Sequence, residues 1–205
     1  MINHEKIDLA KEIKELQAND PGKFRGDGFK YLVNYIKKKE GEEGWRKVVE
    51  KLAKLGYKIP DPRRVNDMVW LPSSLGSILM VTFVKVFKWQ EEDLIDLGRN
   101  YVHFSRMLKF FMRYFSSPKK TLEAGARKWR QYYTFGRLET VSYDPKKKFI
   151  ILRLVDYRRH PFICLYFKGV YGRVVEIATG SRRAKVEETK CEFRGDPYHE
   201  FVITW

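Results

Sequence analysis

Apolar residues recur at helical spacing along the first two-thirds of the chain, then switch to alternation near Thr134. Between residues 4 and 18, Ile7, Ile13 and Leu16 fall near one face, and Asn3 stands where a cap is wanted. Asn19-Asp20-Pro21-Gly22 breaks that helix. Leu32, Tyr35 and Ile36 stripe a helix over about 28–39. Gly41 ends it, and Trp45, Val48, Val49, Leu52 and Leu55 stripe a second over about 42–55, with Gly56 beyond its end. The segment to Pro72 is a connection. A helix capped by Ser73 or Ser74 carries Leu75, Leu79, Met80, Phe83 and Phe87; it is apolar nearly all round, which predicts burial. Further helices open at Trp89-Gln90-Glu91, run over about 104–114, and start at Pro118 as first helical residue.

From Phe135 to Tyr143 the pattern is that of a strand. Asp144-Pro145 and three lysines make a turn, and Phe149 to Tyr157, apolar on both faces, predicts a central strand. Phe162 to Ala178 reads as an amphipathic helix ending before Gly180, with a hairpin around Lys168-Gly169 as the alternative. Two last strands cover about 183–193 and 198–205, joined by the turn Arg194-Gly195-Asp196-Pro197. Many helices followed by β-β-α-β-β predict an α+β fold: a helical layer on a four-stranded antiparallel sheet. Residues 1–20 read as a helical arm. Residues 21–205 read as one ligand-binding domain, divided into a helical layer to 133 and a sheet portion from 134.

Composition adds a partner class. The net charge is +15, with both parts of the chain positive, which predicts attraction to nucleic acid, an anionic membrane surface or an acidic protein. The run Arg106, Lys109, Arg113, Lys119, Lys120, Arg127, Lys128, Arg130 concentrates it, although a solvated basic face explains the same run and no DNA-reading motif is visible. Two cysteines, no opening signal peptide and no apolar run long enough to span a bilayer predict a cytoplasmic protein without a transmembrane segment. No P-loop, Gly-x-Ser-x-Gly or His-Glu-x-x-His occurs, so the chain reads as non-enzymatic.

Candidate chemistry is sparse. Cys191 and His199, on either side of the last turn, are a soft thiol and an imidazole that suit zinc; they also suit a plain hairpin core. Glu192, Asp196, Glu200 or Cys164 would have to complete the set. His103 is a candidate haem ligand among Tyr101, Phe104 and Met107, although a hydrogen-bonded core histidine has the same surroundings. Phe83, Phe87, His103, Phe104, Met107, Phe111, Phe115 and Trp129 are candidates to line a pocket for a flat or oily ligand, or to fill a core.

Three stretches carry a family likeness. They are Phe135-Gly136-x-Leu138-Glu139, the helix containing Cys164, Gly169, Gly172 and Glu176, and Cys191-x-x-x-Gly195-Asp196-Pro197-x-His199-x-Phe201. In these the chain resembles the 4-vinyl reductase domain family, a branch of a wider fold shared with transport-particle small subunits and haem nitric oxide/oxygen-binding domains. Phe24-Arg25-Gly26 to Gly44-Trp45 is similar to the opening helices of the haem-binding branch, so the likeness spans residues 24–205. It implies binding rather than catalysis, of an aromatic hydrocarbon, an acyl chain or haem. Some such sensors carry a structural zinc on cysteines near the end. Here His199 stands where a second cysteine is usual. The haem branch's Tyr-x-Ser-x-Arg signature is absent; Tyr101-Val102-His103-Phe104-Ser105-Arg106 has similar residues at another spacing.

The leading expectation is therefore a sensor of a small hydrophobic ligand, aromatic or acyl, bound between helices and sheet and signalling through a partner, as a homodimer. A haem-based NO/O2 sensor using His103 is the alternative. A basic adaptor for nucleic acid or an acidic protein, with a filled core, is the third.

Overall fold

The structure is a computed structural model that describes residues 2–104 and 118–205, without the side chains of 103, 104, 118, 121 and 122. Helix α1 spans Leu9–Ala18 and starts later than the sequence suggests. Asp8, not Asn3, caps it, accepting from the N–H groups of Ala10 and Lys11 at 3.1 Å. Leu9, Ile13 and Leu16 are buried, laying α1 against α3. Strand β1 (Lys23–Arg25) pairs antiparallel with β2 (Trp70–Pro72). Between them runs α2 (Gly26–Lys54), broken at Gly41, where φ is +76°. Glycine tolerates that angle and a residue with a Cβ does not, so one apolar stripe becomes two helical segments.

Helix α3 (Ser73–Phe87) is the buried axis of the helical layer; every residue from Ser73 to Val84 is buried. Its first turn is capped from outside the helix. Asp20 accepts from Ser73 Oγ and Ser74 Oγ at 2.6 Å each and from the Ser74 N–H at 3.1 Å, so the serines are donors to a cap and not caps themselves. Helix α4 spans Glu91–Phe104 and α5 spans Pro118–Lys128, followed by a 3-10 turn at Trp129–Gln131. The helix expected over about 104–114 lies outside the described residues.

Strands β3 (Arg137–Asp144), β4 (Phe149–Val155), β5 (Lys185–Lys190) and β6 (His199–Thr204) form an antiparallel sheet in the order β3-β4-β6-β5. Helix α6 (Phe162–Thr179) covers one face. The doubly apolar β4 is central, as its pattern predicts. Ile150, Leu152 and Leu154 face α6 beside Phe201 and Ile203, while Arg153 pairs with Glu200 across the outer face at 2.8 Å. The α6 stretch is helical rather than a hairpin because it must bury two sides at once, one on the sheet and one on α4. Helices packed on a four-stranded antiparallel sheet make the fold α+β, as expected.

Candidate functional site

The inner face of the sheet brings four potential ligand groups together. Alternation along β5 turns Val186 and Glu188 inward, and Glu188 lies opposite Phe201, two residues from His199 on β6. Cys164 descends from the first turn of α6. Cys191 sits just past β5, where its N–H is held by Asp196 Oδ2 at 2.8 Å and its carbonyl accepts from Arg194 and Asp196. Gly195, at φ +93°, closes that turn. One ligand atom from each of Cys164, Glu188, Cys191 and His199 lies within 4.8 Å of every other.

The individual distances have a recognisable scale. Cys164 Sγ is 3.8 Å from Cys191 Sγ and 3.5 Å from His199 Nδ1, which is 3.1 Å from Glu188 Oε1. A tetrahedral zinc with ordinary bond lengths requires edges of ~3.8 Å between two sulfurs and ~3.5 Å between sulfur and nitrogen. A disulfide would need the sulfurs at ~2.0 Å, and both cysteines are free. His199 is 1% exposed and the cysteines 5% each. Burial pushes both thiols up, and Glu188 adds to the shift. Burial also opposes ionisation of Glu188, but hydrogen bonds from His199, Cys164 and Cys191 outweigh it and hold the carboxyl low. Arg194 Nη1 stands 3.7 Å from Glu188 Oε2, and Glu192 Oε2 stands 3.7 Å from His199 Nε2, which is buried without a hydrogen bond.

Of the residues expected to complete the Cys191–His199 pair, the structure brings in Cys164. Asp196 supports the turn and Glu200 faces the other side of the sheet on Arg153. Glu188 was not anticipated; its signal is the inward register of β5 and the spacing Glu188-x-x-Cys191.

A second group lies at the seam of α3 and the β4–α6 loop. Arg159 donates through Nη1 to Tyr157 Oη at 3.0 Å and through Nη2 to the Ser73 carbonyl. Its Nε is buried with no partner, and among the described residues no carboxylate pairs with it. Gly76 makes room, since a Cβ there would come within 2.8 Å of Nη2. Tyr157 is wholly buried, with Trp129 and Phe167 ring centroids at 5.4 Å. No motif in the sequence marks this pair.

The described aromatic candidates, Phe83, Phe87 and Trp129, pack in or against the core. Phe83 is fully buried against Trp89, at 5.5 Å between rings; Phe87 lies 6.2 Å from the same Trp89; Trp129 stacks on Tyr133 at 4.5 Å. Tyr31, Tyr101, Tyr166 and Phe167 continue the series toward Tyr157. His103 and Phe104 close α4 with side chains outside the described set, and Met107, Phe111 and Phe115 lie outside the described residues. The other histidines are engaged: His4 with the Trp89 carbonyl at 2.7 Å, His160 with Glu12 at 3.5 Å, and His199 in the cluster.

No family model matches the chain, and no curated protein matches it. Among solved structures the fold is similar to that of H-NOX proteins. One from S. oneidensis, in the Fe(II)NO ligation state, superposes with a TM-score of 0.67 at 12% identity, covering 87% of this chain and 97% of that one. The Fe(II) unliganded protein from K. algicida gives 0.65 at 11%, covering 88% and 95%. A third, from work on haem distortion in the H-NOX family, gives 0.60 at 18%, covering 88% and 94%. At such identities the likeness is one of fold.

These neighbours correct the leading expectation. They are described with iron, NO and haem, not with an aromatic or acyl ligand. Of the residues expected to line an oily pocket, Phe83 and Phe87 pack on Trp89, and Trp129 packs on Tyr133, Tyr157 and Phe167. Among the described residues no helix is long and apolar enough to cross a membrane.

Proposed function

We propose that this chain is a non-enzymatic, haem-dependent sensor of a diatomic gas. The observation that carries the reading is the near full-length likeness of fold to H-NOX proteins. Residues of this chain suit the group. Arg159 offers a guanidinium with a buried Nε and no carboxylate partner among the described residues, the donor that an acidic side group of a macrocycle would need, and Tyr157 Oη holds it in place. His103, near the end of α4, is the residue that would hold the iron, since imidazole is an ordinary haem ligand; the other three histidines are engaged elsewhere. When bound, haem supplies an iron with a vacant position for the gas. The chain's buried tyrosines, kept protonated by burial, supply hydroxyl donors in a dry interior.

The test is an absorption spectrum of protein produced with haem precursor. A Soret band that shifts on adding NO and is lost in His103→Ala is the expected result. No band, or one that survives that substitution, overturns the reading or its axial assignment.

Cys164, Glu188, Cys191 and His199 support a second, separate assignment: a closed structural zinc site that ties α6 to the β5–β6 hairpin. The match of the sulfur and nitrogen distances to tetrahedral edges favours it. Two thiolates and a carboxylate around a divalent cation leave a net negative charge, which Arg194 partly offsets.

A further inference from the structure

A groove of about 950 Å³ runs between α4, α6 and the start of β5. Its two walls carry opposite charge. On one side it is lined by Lys168 of α6, Arg182 and Arg183 of the loop after α6, and Lys185 of β5. None of these four has a carboxylate partner among the described residues, and Arg182, Arg183 and Lys185 are exposed. The α4 wall presents Glu92 and Asp96. Arg99, which also lines the groove, is already neutralised by Glu176 at 2.7 Å. Ile95 and Val186 supply apolar lining between the walls.

Four cations lining one groove with no salt bridge to a carboxylate among the described residues repel one another, and the chain keeps them together beside apolar lining. A solvated basic face needs neither the concavity nor the apolar lining. A nucleic acid presents phosphates along both edges and would meet Glu92 and Asp96. A polypeptide segment can instead carry carboxylates on one edge and apolar side chains beneath. We propose that this groove docks an acidic, amphipathic segment of a partner protein. Its carboxylates face Lys168, Arg182, Arg183 and Lys185, and its apolar residues cover Ile95 and Val186. The assignment is independent of the haem reading and of the metal cluster.

The test is fluorescence anisotropy on the full chain with three labelled probes: a synthetic peptide alternating Glu and Leu, an all-Glu peptide of equal charge, and a DNA duplex. The Glu/Leu peptide binds most tightly, and weakens in about 0.5 M salt, where exposed charges are screened. Arg182→Glu with Arg183→Glu, and separately Lys185→Glu with Lys168→Glu, turn attractive contacts repulsive and weaken it by ~10-fold or more. Lys146→Glu with Lys147→Glu, equal in charge but in the β3–β4 turn, weakens it by less than ~2-fold. Circular dichroism establishes that each variant is folded, and the two groove variants act as checks on each other. Equal weakening in groove and turn variants, equal binding of the two peptides, tighter binding of DNA, or no binding of either peptide overturns the proposal.

Discussion

Gly98 and Gly169 each abut the main chain of the other's helix where α4 crosses α6. A Cβ on Gly98 would stand 1.9 Å from the Tyr166 carbonyl oxygen, and one on Gly169 would stand 2.0 Å from that of Ile95. The obstacle on each side is main chain, which cannot rotate away as a side chain can. Gly98→Ala and Gly169→Ala are each expected to destabilise the fold by about 3 kcal/mol. In a thermal melt that is a Tm lower by ~6–12 °C. Gly125→Ala in α5, where a Cβ meets nothing within 4 Å, is the control and raises stability by up to ~1 kcal/mol through helix propensity.

Glu176 is held below the usual carboxylate range. Burial opposes its ionisation, but hydrogen bonds from Arg99, the Ala184 N–H and Arg173 outweigh burial. A carboxyl lowered in the folded state adds stability above its unfolded value of ~4.3, and that stability is lost as pH falls through the folded value. Glu176→Gln should cost about 2 kcal/mol at neutral pH, discounted because Arg99 is 36% exposed. Urea titrations at neutral and acid pH test this: the gap between wild type and variant closes as pH drops below ~4.

Asp20 caps a helix that begins 53 residues later in the chain. Burial opposes its charge, and the Ser73 and Ser74 hydroxyls with the Gly22 and Ser74 N–H groups more than compensate, so its carboxyl is also lowered. Asp20→Ala should cost ~1–2 kcal/mol, the range for a lost cap. Hydrogen exchange should speed up in the first turn of α3, and the deficit should fade under acid, where wild-type Asp20 is protonated.

The zinc assignment predicts about one zinc per chain by elemental analysis. Cys191→Ser or His199→Ala releases it, and a chelator lowers the Tm of wild type but not of the variants. Zinc occupancy falls as pH falls, because the thiols and the imidazole must shed protons to ligate.

Several turns were legible in the sequence because their chemistry is local. Gly41, Gly56, Gly180 and Gly195 all adopt positive φ at the breaks where the pattern places them. The Lys148 turn follows Asp144, whose Oδ1 takes the N–H groups of Lys146 and Lys147 as turn chemistry predicts. Arg159 was hidden among surface-type residues, since nothing in Arg158-Arg159-His160 says which arginine turns inward. The caps are ambiguous in sequence too. Asn3 and Asp8 both accept from N–H groups two and three residues on, but only Asp8 stands at the start of α1. A serine beside a helix start, as at α3, looks the same in sequence whether it caps or donates to a distant carboxylate.

The sequence by itself determined most of the described helices, the central strand, the α+β class and the placing of Cys191 and His199 on either side of one turn, because period and turn chemistry act over a few residues. Only the tertiary structure decided that Cys164, 27 residues before Cys191, and Glu188, 11 before His199, come together with that pair. That convergence depends on how α6 lies over the sheet, and the close approach at Gly98 and Gly169, among the packing of the whole layer, sets the α4–α6 crossing. A buried thiol or carboxylate is costly alone, so four such groups share one place only where the fold brings them together to share protons or a cation.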